Sequence, residues 1–308
     1  MKNNKWSLEN ASPLTNQVII ITGGNTGLGY EASLAFARLK GIVIIACRLV
    51  QKGEDAKQKI LQAYPKATVE VMQLDLASLS SIKAFVTTFK KKYQRLDILL
   101  NNAGIMTVPY GKTEDGFELQ NGVNHLGHFA LSAQLFDLLK KTKNSRIVNV
   151  SSSAHKVGKM DFKNYLYEQG KYSKMGSYGR SKLSNLLFTY ELARKVEAKN
   201  ISMKILAAHP GVANTELFRH MKKGSFLGLF FGLFKKIAST PEEGALPEIR
   251  ACLDPNAING QYYGPGKEKK SKKLPVVVQS SKASHSLKDA KQLWTITEKL
   301  TQIVFDVK

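Results

Sequence analysis

Short β-branched and apolar runs alternate with amphipathic stretches along the chain. The runs fall at residues 18–21, 42–45, 69–72, 97–100, 147–150, 202–206 and 261–263. Most are continuously apolar with no period-2 alternation, the pattern of strands covered on both faces, which a parallel sheet with crossover helices requires. Between the first two, Leu28, Ala32, Ala35, Phe36 and Leu39 recur at helical spacing, and Gly41 is placed to supply the left-handed residue that ends the helix. The repeated strand–helix–strand pattern predicts an α/β fold, a doubly wound, mostly parallel seven-stranded sheet with helices on both faces. Ligand sites in such a sheet lie just beyond the carboxyl ends of strands, so candidate chemistry is sought there.

Beyond the first run comes Thr22-Gly23-Gly24-Asn25-Thr26-Gly27-Leu28-Gly29, a glycine-rich turn opening a helix. Its backbone N–H groups and the helix N-terminus are suited to a pyrophosphate. The spacing Gly-x3-Gly-x-Gly departs from Gly-x-Gly-x-x-Gly, so the placement between strand and helix carries the reading more than the spacing does. At the end of the second run an acidic residue would bond a ribose 2′-hydroxyl and an arginine would accept a 2′-phosphate. The chain has Ala46-Cys47-Arg48 there, with no Asp or Glu from Gly41 through Gly53. NADP(H) is therefore expected over NAD(H), with Arg48 on the phosphate.

The sharpest chemical signal is Tyr178-Gly179-Arg180-Ser181-Lys182, which puts a phenol and an ammonium four apart on one helical face. An ammonium about 4 Å from the phenol at an effective dielectric near 20 is worth roughly 4 kcal/mol. That would bring a phenol of ordinary pKa near ~10 down toward ~7, suited to acid–base catalysis.

With these motifs the sequence resembles the short-chain dehydrogenases/reductases, in their single-domain branch, over nearly its whole length. The turn from Thr22 to Gly29 matches the family's Thr-Gly-x3-Gly-x-Gly, and Asn101-Asn102-Ala103-Gly104 its Asn-Asn-Ala-Gly. Asp75-Leu76 matches the adenine-side pair, and Pro210-Gly211-Val212-Ala213-Asn214-Thr215 the segment along the nicotinamide. The resemblance implies a Rossmann-like fold, a pyridine-nucleotide cofactor and a catalytic set of Asn124, Ser152, Tyr178 and Lys182. It implies that Tyr178 passes the proton and Ser152 steadies the substrate oxygen. Lys182 would tune Tyr178 and bind the nicotinamide ribose, while Asn124 would hold a water that refills the proton. Any of Ser151, Ser152 and Ser153 could face the substrate, and the matched segment favours Ser152. The 26 residues from Ser152 to Tyr178 exceed the family's usual separation. The additional segment, residues 154–177, resembles the insertion of retinol-dehydrogenase-like members and of WW-domain oxidoreductases.

Other residues suggest other chemistry and are set aside. His125 and His128 stand three apart beside Asn124, but no nearby Cys, Asp or Glu completes a zinc set, so packing or an inter-subunit contact is expected. Ser152 with His155 lacks the Gly-x-Ser-x-Gly elbow of a hydrolase.

Composition adds bounds. Hydrophobic residues at 43% and charged residues at 23% are ordinary for a globular protein and exclude a disordered or coiled-coil chain. With no repeat or linker, residues 1–308 read as one domain, a cofactor half over about 15–150 and a catalytic and substrate half over about 151–308. Cys47 and Cys252 are too few for a disulfide framework and suit a reducing compartment. Residues 1–10 lack a signal's apolar core, so a cytoplasmic location is expected. The net charge of +22 reads as a lysine-rich solvated surface, since no nucleic-acid-binding signature accompanies it.

The longest apolar run, residues 226–234, is nine residues against the ~20 a spanning helix needs. Lysines at 222, 223, 235 and 236 flank it, so residues 222–237 read as a lid over a greasy substrate or as a peripheral membrane anchor. Either reading points to an apolar carbonyl or alcohol, such as a retinoid, steroid or long-chain aldehyde. The basic run at residues 267–273 reads as a solvated loop, and residues 287–305, with Leu293, Ile296, Leu300 and Val304 at helical spacing, as a closing helix. The expected function is an NADP(H)-dependent oxidoreductase; the alternative is a non-catalytic NADP(H)-binding sensor or scaffold. Homo-oligomers are common among similar proteins.

Overall fold

The computed structural model describes residues 6–211, 240–266 and 274–308. Val212, Thr215, the apolar segment 222–237 and the basic run 267–273 lie outside them.

One sheet of eight strands organises the described residues, in the order β3-β2-β1-β4-β5-β6-β7-β8. The strands are β1 (Val18–Thr22), β2 (Ile42–Cys47), β3 (Thr68–Gln73), β4 (Ile98–Asn101), β5 (Ser145–Val150), β6 (Met203–Ala208), β7 (Tyr262–Pro265) and β8 (Pro275–Val277). Seven are parallel, in registers such as Ile19 opposite Val43 and Ile147 opposite Ile205. The seven-strand expectation is one short: β8 adds an antiparallel edge, Pro265 opposite Pro275. Three residues that open with proline, just after a lysine run, carry too little periodicity to show as a strand.

Successive side chains of each strand enter opposite layers, which is why most of the runs show no period-2 alternation. Ile20, Ile44, Leu99, Ile147 and Ile205 meet α3 (Leu79–Lys92), α5 (Gly127–Lys141), α6 (Lys174–Ala198) and α8 (Leu287–Thr301) through Phe85, Phe129, Phe188 and Trp294. Ile19, Ile45, Leu100, Val148 and Leu206 meet α1 (Gly27–Arg38), α2 (Val50–Ala63) and α7 (Pro241–Leu253) through Phe36, Ile60 and Ile249. Among the described residues no helix is long and apolar enough to cross a membrane.

Two helix ends differ from expectation. Lys40, not Gly41, takes the left-handed conformation after α1, at φ 65°. The closing helix stops at Thr301 because Gln302 turns left-handed, which leaves Val304 79% exposed while Phe305 enters the core. One helix is irregular in its interior. A short turn α4 (Leu119–Asn121) runs into α5 through a π-turn (Gly122–Leu126), where the Gly127 N–H reaches back five residues to Gly122 O.

Candidate active site

The strand order reverses between β1 and β4, and the crevice between their carboxyl ends is the expected ligand position. Thr22 ends β1, Gly23 turns at φ +65°, and α1 begins at Gly27. The Gly23 N–H donates to Ala46 O at 2.8 Å, fastening the turn to the end of β2. A Cβ on Gly29 would stand 2.3 Å from Gly23 O and 2.5 Å from Asn102 Nδ2, so only glycine lets the helix lie this close to the turn. A cleft of about 370 Å³ opens beside Asn25, Thr26 and Gly27, bordered by Lys52 and Lys59. Arg48 is exposed one residue beyond β2. Asp75 accepts from Ala77 N at 2.9 Å past the end of β3, and Leu76 O lies against Gly127.

On the β4 side the Asn102 and Ala103 N–H groups both donate to Thr22 Oγ1 at 3.0 Å. The Asn102 amide donates to Thr22 O at 2.8 Å. Gly104 follows, and a Cβ there would meet Asn124 Oδ1 at 3.2 Å and Lys182 Nζ at 3.4 Å. That spot therefore marks where the dinucleotide turn, the π-turn and α6 converge. Gly211 turns at φ +72° beyond β6, with its N–H donating to His209 Nδ1; Pro210 precedes it.

Asn124 is fully engaged. Its amide oxygen accepts from Ile105 N at 2.9 Å, and its amide nitrogen donates to Ile105 O at 3.0 Å and Ser181 Oγ at 2.9 Å. Lys182 Nζ donates to Val150 O at 3.0 Å and sits 5.8 Å from the centre of the Tyr178 ring. Among the three serines, Ser151 spends its hydroxyl on Lys182 O at 2.8 Å and Ser153 is exposed. Ser152 is left beside the Tyr178 phenol.

The electrostatics correct one expectation. Burial pushes the Tyr178 phenol above its ordinary value, and the Ser152 hydroxyl draws it back. The phenol's own burial outweighs any pull toward neutrality, and the Lys182 ammonium is turned to the Val150 carbonyl rather than to the phenol oxygen. Burial lowers Lys182 to about 8, against the pull of Glu248, a carboxylate that sequence reasoning missed. Glu248 is 1% exposed on α7, and burial raises it to about 8. Its only trace in the sequence is position, since it falls on the apolar face with Ala245, Ile249 and Cys252.

The insertion is folded onto this site by Arg180, which also escaped notice. Its guanidinium donates to Lys159 O, Asn164 O and Tyr165 O at 3.0, 2.7 and 2.9 Å and lies 4.0 Å over the Tyr167 ring. Buried Glu118 accepts from Tyr172 Oη, Ser177 Oγ and the N–H groups of Gln120 and Asn121, closing the other side. His155 Nδ1 bonds Ser152 O at 2.6 Å rather than the hydroxyl, so the two are not a nucleophile and its base. His125 packs inside the chain against Phe188 and Thr297. Among the described residues no group of three or more candidate ligands could hold a metal.

Fold and site together define a doubly wound dinucleotide-fold protein with a tyrosine, a lysine, a serine and an asparagine gathered at the crevice. The chain belongs to the short-chain dehydrogenases, oxidoreductases of alcohol and carbonyl groups: the family model described as short chain dehydrogenase matches residues 17–225. Retinol dehydrogenase 14 of Mus musculus is 40% identical over 301 residues, covering 94% of this chain and 86% of the relative. Retinol dehydrogenase 12 of Homo sapiens is 39% identical over 292 residues, covering 94% and 88%. A crystal structure of an uncharacterized protein from Mycobacterium Paratuberculosis superposes at a TM-score of 0.80 with 33% identity, covering 98% of this chain and 99% of that one.

Proposed function

We propose that this protein is an NADP(H)-dependent oxidoreductase that interconverts an apolar aldehyde or ketone and its alcohol, with Tyr178 passing the proton. The observation that carries the reading is the convergence of Asn124, Ser152, Tyr178 and Lys182 on the crevice beside Gly104.

The residues present fit a nicotinamide dinucleotide. The turn from Thr22 through Gly23, Asn25, Thr26, Gly27, Leu28 and Gly29 would hold the pyrophosphate on the α1 N-terminus. Asp75 and Leu76 would border the adenine, and Asn102, Ala103 and Gly104 the ribose. Pro210 and Gly211 would lie along the nicotinamide, where the sequence also expects Val212 and Thr215, which are outside the described residues. Bound there, the cofactor supplies or takes the hydride. Arg48, exposed past β2 with no acidic neighbour from Gly41 to Gly53, supports the 2′-phosphate.

A phenol held above its ordinary value keeps its proton at neutral pH, which suits donation to a carbonyl oxygen. Ser152 donates a hydrogen bond to the same oxygen as charge develops on it. Lys182, lowered to about 8, is able to give or take a proton near neutrality and so to restore Tyr178. Asn124 fixes the π-turn against α6 through Ser181, and would hold the water that returns the proton to Lys182. Tyr110, Val157 and Met175, 44%, 59% and 44% exposed on segments flanking the site, support an apolar substrate, as do the retinol dehydrogenase relatives.

The test is NADPH oxidation against apolar aldehydes and ketones, retinal included, by the protein and its Tyr178→Phe variant. Turnover that falls about 100-fold or more in the variant, with NADPH affinity kept within about three-fold, is expected. Tight NADPH binding without turnover on any substrate would favour a redox sensor or scaffold instead.

A further inference from the structure

His128 is 2% exposed on the first turn of α5 and has no part in the proton path above. Its two ring nitrogens reach opposite walls of the crevice. Nδ1 lies 3.0 Å from Asn124 O in the π-turn, and Nε2 lies 2.9 Å from Thr22 Oγ1 at the tip of β1.

Hydrogen-bond accounting fixes the direction of every bond in this chain. A backbone carbonyl only accepts, so Nδ1 carries the proton. Thr22 Oγ1 already accepts from the N–H groups of Asn102 and Ala103 at 3.0 Å, which uses both of its lone pairs. Its single proton therefore points outward, either to Leu100 O at 3.4 Å or to His128 Nε2 at 2.9 Å, and the shorter contact takes it. The result is one polarised line, from the two amides after β4 through Thr22 and His128 to the Asn124 carbonyl. A neutral ring is required, and burial with the nearby Lys182 charge provides it, pushing His128 down to about 4 against the pull of the Asn124 carbonyl.

We propose that His128 is a positioning residue that couples the cofactor turn to the catalytic π-turn. One end holds the Thr22 hydroxyl in the single orientation that clamps Asn102 and Ala103, and so keeps β1 and β4 at the spacing the dinucleotide needs. The other end holds the Asn124 carbonyl in the π-turn, and so keeps the asparagine side chain on Ser181 and Ile105. The inference rests on the cofactor reading given above.

Two variants separate the two ends. His128→Asn keeps a donor for Asn124 O but is too short for Thr22; His128→Gln reaches Thr22 but gives up the carbonyl. The Asn variant is expected to weaken NADPH binding about ten-fold and to slow turnover less. The Gln variant is expected to show the reverse, and His128→Phe both losses. Equal losses of affinity and turnover in the Asn and Gln variants would overturn the coupling and leave His128 as packing.

A second readout needs no cofactor. Two-bond 1H–15N spectra, with the His128 signal assigned by its loss in the Asn variant, should show the neutral Nδ1–H tautomer from about pH 5 to 8. The Nε2–H tautomer, or an imidazolium at pH 6, would overturn the proposal. A wild-type protein that binds neither NADPH nor NADH would overturn the cofactor reading and the coupling with it, whereas the variant pattern overturns the coupling alone.

Discussion

At Glu248 a carboxylate is held where the fold supplies Lys182 as a counter-charge but leaves Oε1 without a hydrogen-bond partner among the described residues. A pKa raised from 4.5 to about 8 means that the fold prefers the protonated acid. That preference is fully expressed below about pH 4.5 and lost as the pH rises through 8, so the folded state weakens across this window. Glu248→Gln should match the wild type near pH 4.5 and exceed it above pH 8, by a few kcal/mol at about 1.4 kcal/mol per pH unit. Thermal midpoints of both proteins from pH 4.5 to 9 check this, and parallel curves would refute it. Arg48 offers a second test, on cofactor choice. Arg48→Glu should raise the KM for NADPH at least about ten-fold and leave that for NADH within about three-fold, because only the former carries the phosphate. The places of Arg48, Tyr178 and Lys182 in the fold could be read from the sequence because each stands at a fixed offset from a strand or along a helix. The state of the Tyr178 phenol could not, since it depends on burial by distant parts of the chain.

Between elements, the insertion at residues 154–177 is held by two charged side chains, Arg180 on one side and Glu118 on the other. Arg180 ties three carbonyls of that segment to α6 and stacks on Tyr167. A lysine cannot reproduce this planar fork, so Arg180→Lys should cost about 2–3 kcal/mol and open the insertion to proteolysis. Denaturant unfolding and limited digestion within residues 156–174 measure the two effects. The central parallel strands were legible because β1, β2 and β4 are buried on both faces and so read as nearly unbroken apolar runs, whereas β3 keeps Glu70 and exposed ends and β7 is a short Tyr-Tyr-Gly-Pro. The insertion carries no such pattern. Its order comes from Arg180 and from Glu118, an acid that looks like a surface residue until the chain closes five donors around it. The Thr22–His128–Asn124 line was hidden for a similar reason, since its members lie 106 and 4 residues apart.

For the molecule as a whole, the cofactor crevice joins β1, β4, the π-turn and α6, so occupancy should stabilise the entire fold. NADPH at about 100 times its Kd should add about 2.7 kcal/mol and raise the thermal midpoint by roughly 4 °C, with NADH adding less at the same concentration. Equal shifts from both would count against the Arg48 assignment. The sheet that carries this crevice ends on β8, a strand of three residues whose first, Pro275, has no N–H and faces another proline across the ladder. An edge so short gives an incoming strand almost nothing to copy. Sheet-to-sheet polymerisation from that end is discouraged, which leaves the six residues of β3, at the opposite edge, as the longer ladder among the described residues.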